Sequence, residues 1–149
     1  MVNIPKDFRE LLLLLNKNRV KYLVIEGYAV AFYGAPRFTG DMDLFIDTSK
    51  ENVKRIMKSL GEFGFTDPDL SAADFETPDM IIQLGVPPLR IDFVTSIDGV
   101  SWSTAWDKKA SGSLGDVSVF FIGKNELLTN KRKTGRKKDL ADIEALNPD

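Results

Sequence analysis

Near the start of the chain, Phe8, Leu11, Leu12 and Leu15 recur at helical spacing after Pro5, which suits a first helical turn. The pattern predicts an amphipathic helix ending near Asn18. Tyr22 to Ile25, aromatic and β-branched, predicts a short strand. Gly27 breaks it, Tyr28 to Tyr33 suits a short helix, and Gly34, Ala35 and Pro36 stop that helix in turn. Asp43 to Asp47 reads as a second strand, and Thr48 or Ser49 is placed to cap a helix running to about Leu60, with Glu51 in its first turn. A polar stretch punctuated by Gly61, Gly64, Pro68 and Pro78 precedes MIIQLGVPPLRIDFVTS, which reads as a hairpin turning at Gly85-Val86-Pro87-Pro88. SWSTAWDKKA suits a turn or one helical segment, and VSVFFIG a fifth strand. Two helices, about Lys124 to Lys133 and Arg136 to Leu146, flank Thr134-Gly135. These elements predict one α/β (α+β) domain over residues 1–149: a small mixed sheet of about five strands flanked by helices.

Composition narrows the chemistry. With neither cysteine nor histidine among 149 residues, disulfides, thiolate or imidazole zinc sites and every Cys or His nucleophile–base mechanism are excluded. Carboxylates, Lys, Arg, Ser, Thr and Tyr remain. The longest apolar run, Leu11 to Leu15, is far short of the roughly 20 residues that span a bilayer, and the N-terminus shows no signal pattern, so a cytoplasmic address without membrane association is expected. The net charge of −2 conceals an asymmetry. Ser59 to Leu89 holds no Lys or Arg but carries Glu62, Asp67, Asp69, Asp74, Glu76 and Asp79. Lys124 to Lys138 sets seven cations against Glu126 alone. The acidic stretch reads as an exposed loop or as a specificity element for a basic acceptor. The basic run reads as a solvated helix pair or as a phosphate-binding surface.

The segment TGDMDLFID raises a question of charge. Asp41 and Asp43 stand at i and i+2, so in a strand both point the same way. Close like charges raise each other's pKa and cost stability unless a cation or strong donors offset them. Mg²⁺ meets that need, preferring hard oxygen ligands and commonly bridging one or two carboxylates to substrate phosphates. Asp92, between Ile91 and Phe93, is the candidate third acid, and three such acids could hold two ions about 3.5–4 Å apart.

Three blocks in order, EGYAVAFYGAPRFTGDMDLFID, RIDFV and LLTNKRKTGRKKDLADIEAL, resemble a minimal nucleotidyltransferase of the DNA polymerase β superfamily, nearest to the AbiEii-type proteins of toxin–antitoxin systems. The resemblance implies the nucleotidyltransferase-like fold and transfer of a nucleoside monophosphate from an NTP to an acceptor hydroxyl on RNA or a tRNA end, a protein or a small molecule. It implies Mg²⁺ or Mn²⁺ on Asp41, Asp43 and Asp92 as catalytic and metal-binding residues. Nucleotide contacts are implied for Gly27, Tyr28, Arg37 and Thr39 before that motif, and for Lys131, Arg136 and Lys138 after it, with Asp139 orienting the basic groups. Tyr28, Phe32 and Tyr33 are also natural packing residues of a short helix, and Trp102 and Trp106, four apart, suit a packed corner. Where the family usually carries Gly-Gly, this chain has Glu26-Gly27, which puts a carboxylate where backbone should meet phosphate. A chain this short has little room for an acceptor-binding unit, so a homodimer or partner chain is a candidate contributor.

Overall fold

A computed structural model describes residues 4–36, 38–86 and 89–147, the side chains of Val86 and Leu89 excepted. Thirteen elements follow one another: α1 (Lys6–Lys17), β1 (Tyr22–Ile25), α2 (Glu26–Phe32), β2 (Asp41–Ile46), α3 (Lys50–Phe63), α4 (Ala72–Glu76), β3 (Ile81–Val86), β4 (Leu89–Val94), α5 (Trp102–Asp107), β5 (Ala110–Leu114), β6 (Val117–Phe121), α6 (Lys124–Thr134) and α7 (Lys137–Leu146). The strands form one mixed sheet in the order β3-β4-β2-β1-β6-β5. β1 runs antiparallel to β2 and parallel to β6, β2 runs parallel to β4, and the outer pairs β3–β4 and β5–β6 are hairpin-type antiparallel. Among the described residues no helix is long and apolar enough to cross a membrane.

The strand at the middle of the sheet, β1, is apolar along its whole length, whereas β2 and β4 are apolar on one face only. All four residues of β1 are buried, and Phe8, Leu11, Leu12 and Leu15 of α1 and Val53, Ile56 and Leu60 of α3 supply one layer of the core. Ser49 caps α3 as anticipated, its side chain accepting from the Asn52 backbone N–H, and Gly64 closes the helix in a left-handed conformation. On β2 the alternation holds where chemistry needs it: Met42 and Leu44 are fully buried, whereas Asp41 and Asp43 turn to the other face. Phe45 meets Trp102 edge to face at 5.1 Å, and Trp102 stacks on Trp106 at 5.5 Å, forming the packed corner read from their spacing.

The sheet has six strands rather than about five. The extra strand, β5, was hidden because ASGSL has no β-branched or aromatic residue. What holds it is tertiary. Gly112 lies under Phe32 and Phe121, whose rings stack at 4.0 Å, and a Cβ there would stand 2.7 Å from one ring and 2.8 Å from the other. Arg9 of α1 then clamps the turn after β5 through two bonds to Asp116, at 2.8 and 2.9 Å. α4 likewise lies inside the acidic stretch taken for a loop, anchored by fully buried Phe75 against Phe93.

Asn52 is the polar linchpin between α3 and the sheet. Only 2% exposed, it donates to the carbonyls of Lys21 and Asp47 at 3.1 and 2.7 Å and accepts from the Lys21 N–H at 2.7 Å. Asn52→Ala strands these groups and is expected to lower unfolding free energy by about 2–3 kcal/mol in urea titrations. A loss under about 0.5 kcal/mol would show that water replaces the side chain.

Candidate functional site

The parallel register of β2 and β4 sets Asp41 beside Arg90 and Asp43 beside Asp92. Because alternate residues share a face, all four side chains stand on the face opposite Met42, Leu44, Ile91 and Phe93. A cleft of about 910 Å³ opens over them. Its walls include Glu26, Gly27 and Thr39 on one side and Lys133, Arg136 and Lys138 on the other.

The acids are crowded. Burial first, then the charges of Asp92, Glu26 and Asp41, push the Asp43 carboxyl up to about 7, and its hydrogen bond to Asp92 reinforces the shift. Asp92, 5% exposed, is also raised by burial, with Arg90 opposing and Asp41 adding. Arg90 is the offsetting cation. Its Nη2 donates to Asp41 Oδ2 at 2.9 Å, and its Nε lies 3.0 Å from Asp92 Oδ1. Among the described residues no three acidic side chains are gathered closely enough to cage an ion in this arrangement. The donor set nevertheless fits a hard divalent cation: three carboxylates on one face, more negative charge than one guanidinium neutralises, and an open cleft above.

The start of α2 is built from close approach and left-handed backbone. A Cβ on Gly27 would stand 2.7 Å from Thr39 Oγ1, so only glycine lets the Thr39 segment cross there, where Thr39 donates to the Asp41 carbonyl at 3.0 Å. Glu26 takes the left-handed conformation, φ 56°, which favours glycine and is strained for a side chain this size. Its carboxylate does not swing away. Glu26 Oε2 lies 3.5 Å from Lys131 Nζ, and Lys131, with no exposed surface, also faces Asp139 at 3.5 Å and Asp142 at 2.9 Å.

Of the residues singled out from sequence, Asp41, Asp43, Asp92, Gly27, Thr39, Arg136 and Lys138 all line the one cleft. Lys131 does not; it is sealed in the carboxylate cluster beneath α6 and α7. Tyr28 is 5% exposed and packs in the core rather than lining the cleft. Arg37 lies outside the described residues. Asp139 does orient a basic group, accepting from Arg136 Nε at 2.7 Å and from Thr134 at 2.7 Å. Burial alone would raise its carboxyl, but those bonds and the Arg136 charge hold it well below the usual range. Sequence reasoning passed over Arg90 and took Lys133 only as one member of the basic run. The signal for Arg90 was present, since it stands two residues before Asp92 and so on its face.

The comparisons with known proteins agree on the fold. A family model described as "Nucleotidyl transferase of unknown function (DUF2204)" matches residues 5–148. No curated protein matches the sequence. Among solved structures, a presumed nucleotidyltransferase of Thermotoga maritima, TM1012, is similar with a TM-score of 0.62 and 14% identity over 92% of this chain and 88% of that one. The lincosamide antibiotic adenylyltransferase LnuA, solved with lincomycin bound, is similar with a TM-score of 0.59 and 16% identity over 98% of each chain.

Two measurements follow from this electrostatics. Asp43 holds its proton more tightly when folded, up to about 7, than at its ordinary 3.8, so metal-free stability falls as pH rises between those values. Asp43→Asn removes that fall: in EDTA at about pH 8 it is expected to melt above the parent, with the gap closing as pH is lowered toward 4. A gap independent of pH would refute the crowding. Lys131→Met takes a buried ammonium away from Asp142 and from Asp139, which keeps Arg136, and is expected to cost about 3–5 kcal/mol in chemical denaturation. Were Lys131 instead a cleft residue, stability would hardly change.

Proposed function

The chain belongs to this nucleotidyltransferase family, and from that premise we propose that it moves a nucleoside monophosphate from an NTP to an acceptor hydroxyl, releasing pyrophosphate, in the cleft over Asp41, Asp43 and Asp92. The observation that carries the reading is the β2–β4 register, which unites carboxylates 49 and 51 positions apart in sequence on one face, opposite the cations of α6 and α7.

A divalent ion, Mg²⁺ or Mn²⁺, held by Asp41, Asp43 and Asp92 would neutralise triphosphate charge there. The remaining work falls to the chain. Gly27 brings backbone without a side chain to the wall beside Thr39, where the triphosphate would lie, and Lys133, Arg136 and Lys138 can hold the leaving pyrophosphate. Arg136 is presented by Asp139, so its guanidinium is aimed before substrate arrives. The acceptor oxygen attacks the α-phosphorus, the bond to the pyrophosphate oxygen breaks, and the hydroxyl proton passes to Asp92, which stands at the cleft floor.

For the acceptor, the likeness to LnuA supports a small hydroxylated molecule, whereas the AbiEii-type blocks support an RNA end or a protein hydroxyl. Glu26 favours a second reading, a nucleotide- or partner-binding module without turnover, because a strained carboxylate stands at the usual glycine position.

Purified protein with Mg²⁺, each α-labelled NTP and a cell extract, beside Asp43→Asn, tests the assignment. Label on a discrete acceptor is expected only with the unmutated chain. Equal labelling by both removes Asp43 from the chemistry. Magnesium-dependent NTP binding without label, unchanged in Glu26→Gly, selects the binding module.

A further inference from the structure

A second cleft, of about 810 Å³, opens at the other end of β1: Tyr22 lines it, whereas Ile25 lines the first, and the two share no wall residue. Its polar rim carries three cations, Arg19, Lys21 and Arg55, and among the described residues no acidic one lines it. Arg55 is held by Glu51 at 2.7 Å, but among the described residues neither the Arg19 nor the Lys21 side chain meets a carboxylate. Beneath the rim lie Trp106 and Phe120, which touch edge to face at 5.6 Å, and Phe120 stays 38% exposed. Lys21 Nζ hangs 5.8 Å from the Trp106 ring, and Lys109 Nζ 4.2 Å from it.

Cations without a carboxylate partner beside an aromatic wall suit a ligand with one anionic end and one flat apolar end. A free Lys or Arg pairs strongly with phosphate, whereas aromatic side chains offer a base a contact worth about 1–3 kcal/mol whatever its identity. The volume exceeds that of a single base and sugar, and nothing in the proposed transfer reaction uses these residues. We propose that this cleft binds a nucleotide unit, its base against the Trp106 and Phe120 wall and its phosphate on Arg19 and Lys21. The unit is either a free nucleotide or one residue of a single strand. The site stands independently of the metal and transfer reading, since it shares no residue with the carboxylate cleft.

The chain supplies its own reporter. Its only two tryptophans, Trp102 and Trp106, lie together at this corner, and neither lines the carboxylate cleft. Tryptophan emission of the full chain in EDTA is titrated with ADP and, separately, with an oligoadenylate six residues long. Saturable quenching is expected. Equal affinity for the two probes assigns a free nucleotide, and tighter binding of the oligomer assigns a strand. Arg19→Glu with Lys21→Glu, both on exposed side chains, is expected to weaken binding by about tenfold or more, while Asp43→Asn leaves it unchanged. Lys21→Glu alone, with an unaltered melting temperature, is the fallback if the double variant folds poorly. Absence of saturable quenching, quenching that survives the charge reversals, or quenching lost in Asp43→Asn overturns the proposal.

Discussion

The parallel ladder between β2 and β4 is the constraint on which the carboxylate cleft depends. Side chains alternate along a strand, so a slip of one residue would send Asp41 and Asp43 into the layer now filled by Met42 and Leu44, and bring those apolar groups to the cleft. The apolar alternation therefore enforces the acidic one. Burying Leu44 and Phe93 on one face leaves Asp43 and Asp92 no choice but to confront each other on the other. The hydrophobic effect thus supplies the force that holds two like charges together, and Arg90, beside Asp41 in the same ladder, limits what that confrontation costs.

A second charged cluster ties the C-terminal helices to this arrangement. Lys131 is the buried ammonium that Glu26, Asp139 and Asp142 share, so α6, α7 and the residues just after β1 are joined through one charge. This gives a physical reason for the strained Glu26. Glycine would relax the backbone at φ 56° but would remove one of the three carboxylates around a fully buried lysine. The Arg136 and Lys138 wall of the cleft is carried on the same helical pair, so its placement relative to Gly27 passes through that cluster.

Much of this was legible from residues alone, for identifiable reasons. The first helix, the capping Ser49, the hairpin of β3 and β4 and the shared face of Asp41 and Asp43 follow from local periodicity and capping chemistry, which need no knowledge of distant contacts. What was missed depends on the third dimension. Lys131 belongs to a basic run and looks solvent-facing, yet three acids, two of them eight and eleven residues ahead and one at the far side of the chain, enclose it. Tyr28 follows Gly27, which lines the carboxylate cleft, but helical geometry turns it inward. β5 has almost no intrinsic preference for a strand and exists because aromatic rings lie across Gly112.

That same strand has a bearing on how the protein behaves at high concentration. β5 ends the sheet, and an open edge is a template on which a neighbouring chain can add its own strand. A five-residue edge of Ala, Ser, Gly, Ser and Leu, with Ser111 and Ser113 facing water, is a poor template: short, weakly strand-forming and almost without apolar side chains to zip. The composition that conceals β5 from a reader of the sequence also conceals it from other copies of the chain, guarding this flank against fibrillar association.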